Sequence, residues 1–150
     1  MAKIYYENIQ TGDLIPPLLK SAITRVQISQ FAAAANDFNP MHVDEAMART
    51  KGYSGICAHA QLALSYSEQM LRQYADNMHI FNMTVTFHKL LWPGDLLTTK
   101  GLISKRYEEH GQHKIDIDLW TENQNQDVVL KGKATCVLER KSEKSIVAEK

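Results

Sequence analysis

The chain has 150 residues, of which 44% are hydrophobic and 23% are charged, and this composition is ordinary for a single soluble globular domain. Its 17 basic residues equal its 17 acidic ones, so charge gives no reason to expect nucleic acid or an anionic membrane as a partner. The N-terminus has no apolar run of signal-peptide length, and Cys57 and Cys136 form no metal-type pair. We therefore expect free thiols and a cytoplasmic protein.

The opening of the chain predicts a short strand with an arm. Pro16 and Pro17 exclude a central strand, because proline cannot donate a hydrogen bond to a neighbouring strand. Residues 18–23 can be extended. We expect this opening to lie across the domain as a peripheral element.

A helix is predicted next. Thr24 and Gln27 match the capping box, in which a hydroxyl caps the helix start and a side chain three residues on reaches back. Apolar residues then follow at the spacing of one helical face: Ile28, Phe31, Ala32 and Ala35. Pro40 disfavours a helical conformation for the residue before it. The helix must therefore stop before Pro40, and it delivers Asp37 at its end.

Two more helices are predicted before the strands begin. Asp44 can cap a short helix over residues 45–48 that Gly52 ends. A longer pattern runs over residues 59–74, with large apolar side chains at every fourth position: Leu62, Tyr66, Met70 and Tyr74. Few polar residues interrupt its first half, so we predict the buried central helix of the domain.

The rest of the chain alternates between apolar and polar residues with period two. In the segment 80–91, one face carries Phe81, Met83, Val85 and Phe87. Three further segments, near 97–107, 114–121 and 128–138, repeat the alternation with short turns between them. Four such strands predict an antiparallel meander, and the long helix would cover its apolar face. The fold class is therefore predicted to be α+β.

One turn brings together two residues suited to proton transfer. Asp37 and His42 are five residues apart, with Asn39 and Pro40 between them. A turn here would direct the carboxylate and the imidazole to one small volume. The alternative is local: Asp37 and Asn39 would only end a helix, since Asn, Asp and Pro are common in loops for purely local reasons.

This turn resembles the D-x-N-P-x-H signature of the MaoC-like (R)-specific enoyl-CoA hydratases, which the 3-hydroxyacyl dehydratases of fatty-acid synthesis share. The matching residues are Asp37, Phe38, Asn39, Pro40, Met41 and His42. The resemblance extends roughly over residues 6–138. It implies the hot-dog fold, in which a curved antiparallel sheet wraps a long central helix. We accordingly expect one domain over residues 1–139 and a charged, loose tail over 140–150.

A second block, residues 52–60, is similar to the family's glycine-rich approach to a helix. Ala60 stands where the family usually has glycine, and Gln61 where it often has methionine. The family's residue at position 60 donates its backbone N–H to the thioester oxygen, so the resemblance implies that oxyanion role for Ala60. Many members carry a serine further along the helix; by position this falls at Glu68, with Ser65 one turn earlier.

The resemblance implies a hydro-lyase that adds water to trans-2-enoyl thioesters of coenzyme A or acyl carrier protein, or removes it. Asp37 and His42 would be the catalytic residues, with Asn39 and His59 supporting the loop or the water. It also implies a homodimer, and nothing in the chain indicates a metal or another cofactor. Two alternatives stay open: a non-catalytic acyl-binding or stabilising subunit, for which Ala60 and Glu68 argue, and an acyl thioesterase.

Overall fold

The computed structural model describes residues 3–141. One 3₁₀ turn, Tyr6–Asn8, precedes the first strand. The helices are α1 Arg25–Ala35, α2 Pro40–Val43, α3 Glu45–Thr50 and α4 Ala60–Tyr74. The strands are β1 Leu14–Leu19, β2 His79–Phe87, β3 Thr98–Glu109, β4 Gln112–Glu122 and β5 Val128–Leu138. Among the helices of this described part, none is both long and apolar enough to cross a membrane.

The five strands form one antiparallel sheet in the order β1-β3-β4-β5-β2. Strands β3, β4 and β5 form the predicted meander, but the prediction was wrong for β2. That strand pairs with β5 at one end of the sheet and not with β3, the next strand in the chain. The connection from β2 to β3 therefore crosses the sheet. Strand β1 occupies the other edge, where its register shifts between Ile15 and Leu18, across the two prolines.

The predicted inward face of β2 also needs one correction. The register of β2 shifts between Ile80 and Asn82, so Phe81 is an extra residue relative to β5. Ile80 takes the inward place beside the buried Cys136, and Phe81 is 60% exposed. Its ring lies 4.8 Å from the Lys114 ammonium. The alternation was predicted correctly for Met83 and Val85, which are half-buried, whereas Phe87 at the end of the strand is 40% exposed. The bulge moved Phe81 to the other face.

Helix α4 is the central helix, as its spacing predicted. Its buried face consists of Leu62, Ala63, Tyr66, Ser67, Met70 and Leu71. The end of α4 packs with the inward residues of the meander, including Ile103, Ile117 and Ala134, in one buried cluster. The beginning of α4 belongs to a second cluster with α1 and the residues before β3. This burial fixes where α4 begins, and its beginning lies at the candidate site.

The short α3 helix is also confirmed: the Asp44 carboxylate accepts from the Met47 amide, 3.0 Å away. Most of the predicted loose tail, residues 142–150, lies outside the described residues. Within the described part, Arg140 donates to the Glu7 carboxylate at 2.8 Å.

Candidate active site

The end of helix α1 places Asp37. The Thr24 hydroxyl accepts the Gln27 amide and starts the helix as predicted. The second half of the predicted capping box is absent, because the Gln27 side chain donates to the Tyr66 hydroxyl at 2.6 Å. Asn36 ends it in the left-handed conformation, with φ 52°, a conformation that asparagine tolerates better than most residues. The Asp37 amide then donates back to Ala32 at 2.9 Å. This closure turns the chain, and the Asp37 carboxylate remains 46% exposed at the end of the helix.

Helix α2 places His42. The Asn39 side chain caps this one-turn helix by accepting from the Met41 amide at 3.2 Å. Pro40 occupies its first turn, where a missing amide hydrogen costs nothing. Asn39 also donates its own amide to the Asp37 carboxylate, at 3.2 Å. Asn39 thus has the contacts of a residue that shapes the loop.

The His42 ring is buried and held by one backbone bond. Its Nδ1 lies 2.7 Å from the carbonyl oxygen of Cys57. A carbonyl can only accept, so Nδ1 carries the hydrogen and Nε2 is the unprotonated nitrogen of the neutral ring. The Cys57 amide in turn donates to the Met41 carbonyl at 3.0 Å. Burial raises the pKa of the Cys57 thiol, which keeps a thiolate from forming beside the ring.

His59 ties the Asp37 turn to helix α4. It is 1% exposed and stands at the N-cap of α4 without a side-chain capping bond. Its Nε2 instead donates to the backbone carbonyl of Asp37 at 3.0 Å and lies 3.7 Å from the Asp37 carboxylate. Its ring stacks on that of His42, with centroids 3.7 Å apart. His59 therefore holds both Asp37 and His42 in place.

Asp37 and His42 border a surface cavity of about 280 Å³. Ala60 and Gln61, from the start of α4, also line this cavity. The end of β2 and the segment after it contribute one charged and three apolar residues to the lining: Phe87, Lys89, Leu90 and Leu91. The cavity can therefore hold a small polar group beside the carboxylate and imidazole while an apolar group rests on Phe87, Leu90 and Leu91.

Ala60 is the first residue of α4, and its φ is not among the positive values of the described residues. No acceptor within residues 3–141 takes a hydrogen bond from its backbone amide. Amides in the first turn of a helix point outward with partial positive charge. The alanine methyl causes no backbone strain there, and the residue lines the cavity that Asp37 and His42 border.

The cluster of Asp37, His42 and His59 has the residue types of a metal site, and one potential ligand atom from each lies within 4.8 Å of the others. The ring planes of the two histidines, however, are inclined by only 24°. Ring nitrogens bind metals in the ring plane, so stacked rings direct their nitrogens side by side and away from a common point. One nitrogen of each ring is also bonded to a carbonyl. These features favour a hydrogen-bonded acid–base cluster.

Residues 16–123 match the sequence profile of the MaoC like domain family, which is well over half of the chain. The chain belongs to the MaoC-like family. A comparison with curated proteins gave no match.

Solved structures of MaoC-like proteins share the fold. The unliganded R-hydratase PhaJ1 from Pseudomonas aeruginosa is 20% identical in sequence, with a TM-score of 0.83. The match covers 93% of this chain and 88% of that one. The (R)-hydratase from A. caviae involved in PHA biosynthesis is 22% identical, with a TM-score of 0.80 over 88% of this chain and 98% of that one. The MaoC-like dehydratase from Rhodospirillum rubrum is 19% identical, with a TM-score of 0.81 over 93% and 99% of the two chains. The predicted hot-dog fold is thereby confirmed.

The structure brings Asp37, His42 and His59 together and places Ala60 on the cavity that Asp37 and His42 border. The two candidates for a helix hydroxyl lie elsewhere. Ser65 donates to the Leu62 carbonyl at 2.7 Å, and neither it nor Glu68 lines the cavity. Sequence reasoning missed Phe87 and Leu90, because no residue pattern signals that the crossing connection after β2 returns to this cavity. It also missed Cys57, whose contribution is a backbone carbonyl that any residue would supply.

Proposed function

We propose that this chain is a hydro-lyase that adds water to trans-2-enoyl thioesters to give (R)-3-hydroxyacyl thioesters, and that it also catalyses the reverse dehydration. The observation that carries this proposal is the bond between His42 Nδ1 and the Cys57 carbonyl, at 2.7 Å. It leaves Nε2 as the proton acceptor of a ring that borders the same cavity as Asp37. Membership of the MaoC-like family supports the same chemistry.

In the proposed reaction, one water is held between Asp37 and His42. Its oxygen forms a bond to C3 of the enoyl group as a proton passes to His42 Nε2, with the carboxylate orienting the water. The electron pair of the double bond moves toward the thioester, which becomes an enolate. A proton returned by the dyad then forms the C–H bond at C2. The sum is one water added across the double bond, with both new bonds on the face that the dyad occupies.

The enolate oxygen needs a fixed hydrogen-bond donor, and the backbone amide of Ala60 is our candidate. That amide lacks an acceptor within residues 3–141 and belongs to a residue of the same cavity as Asp37 and His42. The partial positive charge at the start of α4 acts in the same direction. A side chain is not needed for this role, so alanine can replace glycine there.

We further propose that the protein works as a homodimer joined through β2. No charged side chain occurs in the nine residues of this edge strand, and their outer side is unpaired within the described part of the chain. Such an edge is a template for a second strand. The opposite edge, β1, is interrupted by Pro16 and Pro17. Beside β2, a cavity of about 270 Å³ between α4 and β2, lined by Leu64 and Met83 among others, offers apolar surface to a second copy.

The direct test is purified protein with a short trans-2-enoyl-CoA and, separately, the same enoyl group on acyl carrier protein. The proposal predicts loss of the enoyl absorbance and an (R)-3-hydroxyacyl product with at least one carrier. Asp37→Asn serves as the control that excludes a contaminating hydratase. A non-catalytic acyl-binding subunit would bind the thioester without turnover, and a thioesterase would release free thiol.

A further inference from the structure

The cavity that Asp37 and His42 border has a neutral side-chain hydrogen-bond donor that no protein group uses. Gln61, the second residue of α4, lines this cavity. Its side chain is exposed, and within residues 3–141 its carboxamide has no hydrogen-bond partner. A carboxamide offers two N–H donors and one acceptor. Gln61 is therefore free to bind a group that enters the cavity.

The other side-chain donors of this cavity are already engaged. His42 Nδ1 donates to the Cys57 carbonyl at 2.7 Å, and the Lys89 ammonium pairs with the Asp127 carboxylate at 2.7 Å. The other described residues of the lining have no N–H or O–H group in their side chains when Asp37 is ionised: Asp37, Met41, Ala58, Ala60, Phe87, Leu90 and Leu91. Among the described lining residues, Gln61 is thus the available side-chain donor.

The start of α4 places the Gln61 side chain near the proposed oxyanion donor, Ala60. Within the described part of the chain, the backbone amides of Ala60 and Gln61 have no acceptor, whereas the Leu62 amide donates to the His59 carbonyl at 3.0 Å. Amides of the first helical turn point beyond the helix start, and helical side chains tilt toward the same end. An oxygen held at this helix start can therefore receive a backbone and a side-chain hydrogen bond together.

We propose that Gln61 is a catalytic residue whose carboxamide N–H donates a second hydrogen bond to the thioester oxygen. This proposal rests on the proposed function, in which the Ala60 amide is the first donor. The thioester oxygen gains negative charge as the electrons of the double bond move toward it, and two fixed donors stabilise that charge better than one. The carboxamide keeps its hydrogen throughout, so both protons are still handled by Asp37 and His42.

This role is a departure from the family pattern. Methionine, which the family often has at position 61, carries no N–H group. The serine that many members carry further along the helix is also missing here, because Glu68 takes its place by position and lies outside the cavity. A carboxamide at position 61 supplies a side-chain donor from the first turn of the helix.

Gln61→Met removes the donor and keeps a side chain of similar length. Because Gln61 is exposed, the variant should fold as the wild type does. We expect kcat for a short trans-2-enoyl-CoA to fall about 10²- to 10³-fold, the range for loss of one oxyanion donor. KM should change by less than about threefold, because the bond strengthens as charge develops in the transition state. Gln61→Glu, which places a negative charge beside the enolate oxygen, should lose at least as much kcat.

Gln73→Met is the matched control. Gln73 lies on the same helix, is likewise exposed, and lines a different surface cavity. Its substitution should leave kcat and KM unchanged. A Gln61→Met variant with kcat within about threefold of the wild type would overturn the proposal, and so would equal losses of kcat in the two methionine variants. Hydration by the wild type would in both cases leave the proposed function intact.

Infrared spectroscopy of a bound saturated thioester gives a readout that needs no turnover. Butyryl-CoA labelled with ¹³C at the thioester carbonyl has no double bond to hydrate. Hydrogen bonds to a carbonyl lower its stretching frequency, so the frequency should be lower in the wild type and Gln73→Met than in Gln61→Met. Equal frequencies in all three proteins would overturn the proposal. A shift that depends on Gln61 in a protein that hydrates no enoyl thioester would support this hydrogen bond and contradict the proposed function.

Discussion

The Nδ1 atom of His42 lies 2.7 Å from the carbonyl oxygen of Cys57, and this bond determines which ring nitrogen can meet a substrate. The hydrogen must sit on Nδ1 in the neutral ring, so Nε2 is the free acceptor. His42 also contributes to the packing of the site, which its motif did not predict. Its side chain is 8% exposed, and its ring stacks on that of His59.

The two residues of the dyad should therefore respond differently to substitution. Asp37→Asn should lower kcat on the order of 10²- to 10⁴-fold, the range for a positioned acid–base group, with little change in stability because the side chain is half exposed. His42→Ala should lower kcat by a similar factor. It should also lower the free energy of unfolding by about 1–3 kcal/mol, since the Cys57 carbonyl loses its ring partner. Enzyme kinetics and urea titration measure the two effects, and near-normal turnover by either variant would remove that residue from the mechanism.

Ala60→Gly restores the residue usual in the family and tests the backbone role. Position 60 is in the first turn of α4 without a positive φ, so glycine offers no conformational relief there. We expect the free energy of unfolding to fall by at most about 1 kcal/mol through helix propensity. Turnover should be preserved, and bulkier enoyl thioesters should be accepted better because the methyl group is gone from the cavity. A large loss of kcat would show that the alanine side chain, and not only its amide, contributes.

The edge strand gives a prediction about oligomeric state. Leu64 lines the cavity beside β2, so Leu64→Glu would place a charge in the proposed dimer interface. Light scattering after size exclusion should show a dimer for the wild type and a monomer for this variant. Leu14→Glu is the control, because Leu14 is 71% exposed on the opposite edge strand. A monomeric wild type, or two dimeric variants, would contradict the proposed interface.

Cys136 should make the protein sensitive to alkaline pH. Burial, with a smaller contribution from Asp116, raises the pKa of this thiol to about 12, from 9.0 for a free thiol. Between pH 9 and about pH 12, the Cys136 thiol loses its proton in the unfolded chain but keeps it in the folded chain. The contribution of this thiol to the free energy of unfolding is therefore complete below pH 9. Above pH 9 the free energy of unfolding falls by up to about 1.4 kcal/mol per pH unit.

The test is the free energy of unfolding measured by denaturant at pH 8 and pH 10, for the wild type and for Cys136→Ala. The variant should be less stable at pH 8, because Cys136 is fully buried and its removal leaves a small cavity. Its loss of stability between the two pH values should be smaller than that of the wild type. Parallel losses in the two proteins would assign the alkaline sensitivity to other groups.

The elements that the sequence predicted well are those whose signals are local. Thr24 and Gln27 started α1 at the correct residue, because the capping bond joins groups three residues apart. The turn from Asp37 to His42 was likewise readable, since its bonds lie within the turn. The place of β2 was not readable, because pairing with β5 depends on where distant strands pack.

Two further details could not be predicted from the sequence, for a related reason. Phe81 left the inward face through a bulge that only the pairing with β5 defines. The bond that orients His42 uses a backbone carbonyl, and the identity of Cys57 does not reveal it. The ring of His59 contacts the backbone carbonyl of Asp37 and stacks on His42. Such contacts join segments far apart in the chain, so no short motif encodes them.

The central claim is that Asp37 and His42 together take the proton from water and deliver the proton to C2. Hydration of an enoyl thioester in heavy water tests this claim most directly. The protein would convert a trans-2-enoyl thioester in D₂O, and NMR would assign the configuration at C2 and C3 of the product. Because Asp37 and His42 border one cavity and bring side-chain atoms within 4.8 Å of each other, we predict the (R)-3-hydroxy product with deuterium at C2 added on the same face as the hydroxyl. Addition on opposite faces, an (S) product, or no conversion of any enoyl thioester would contradict the account.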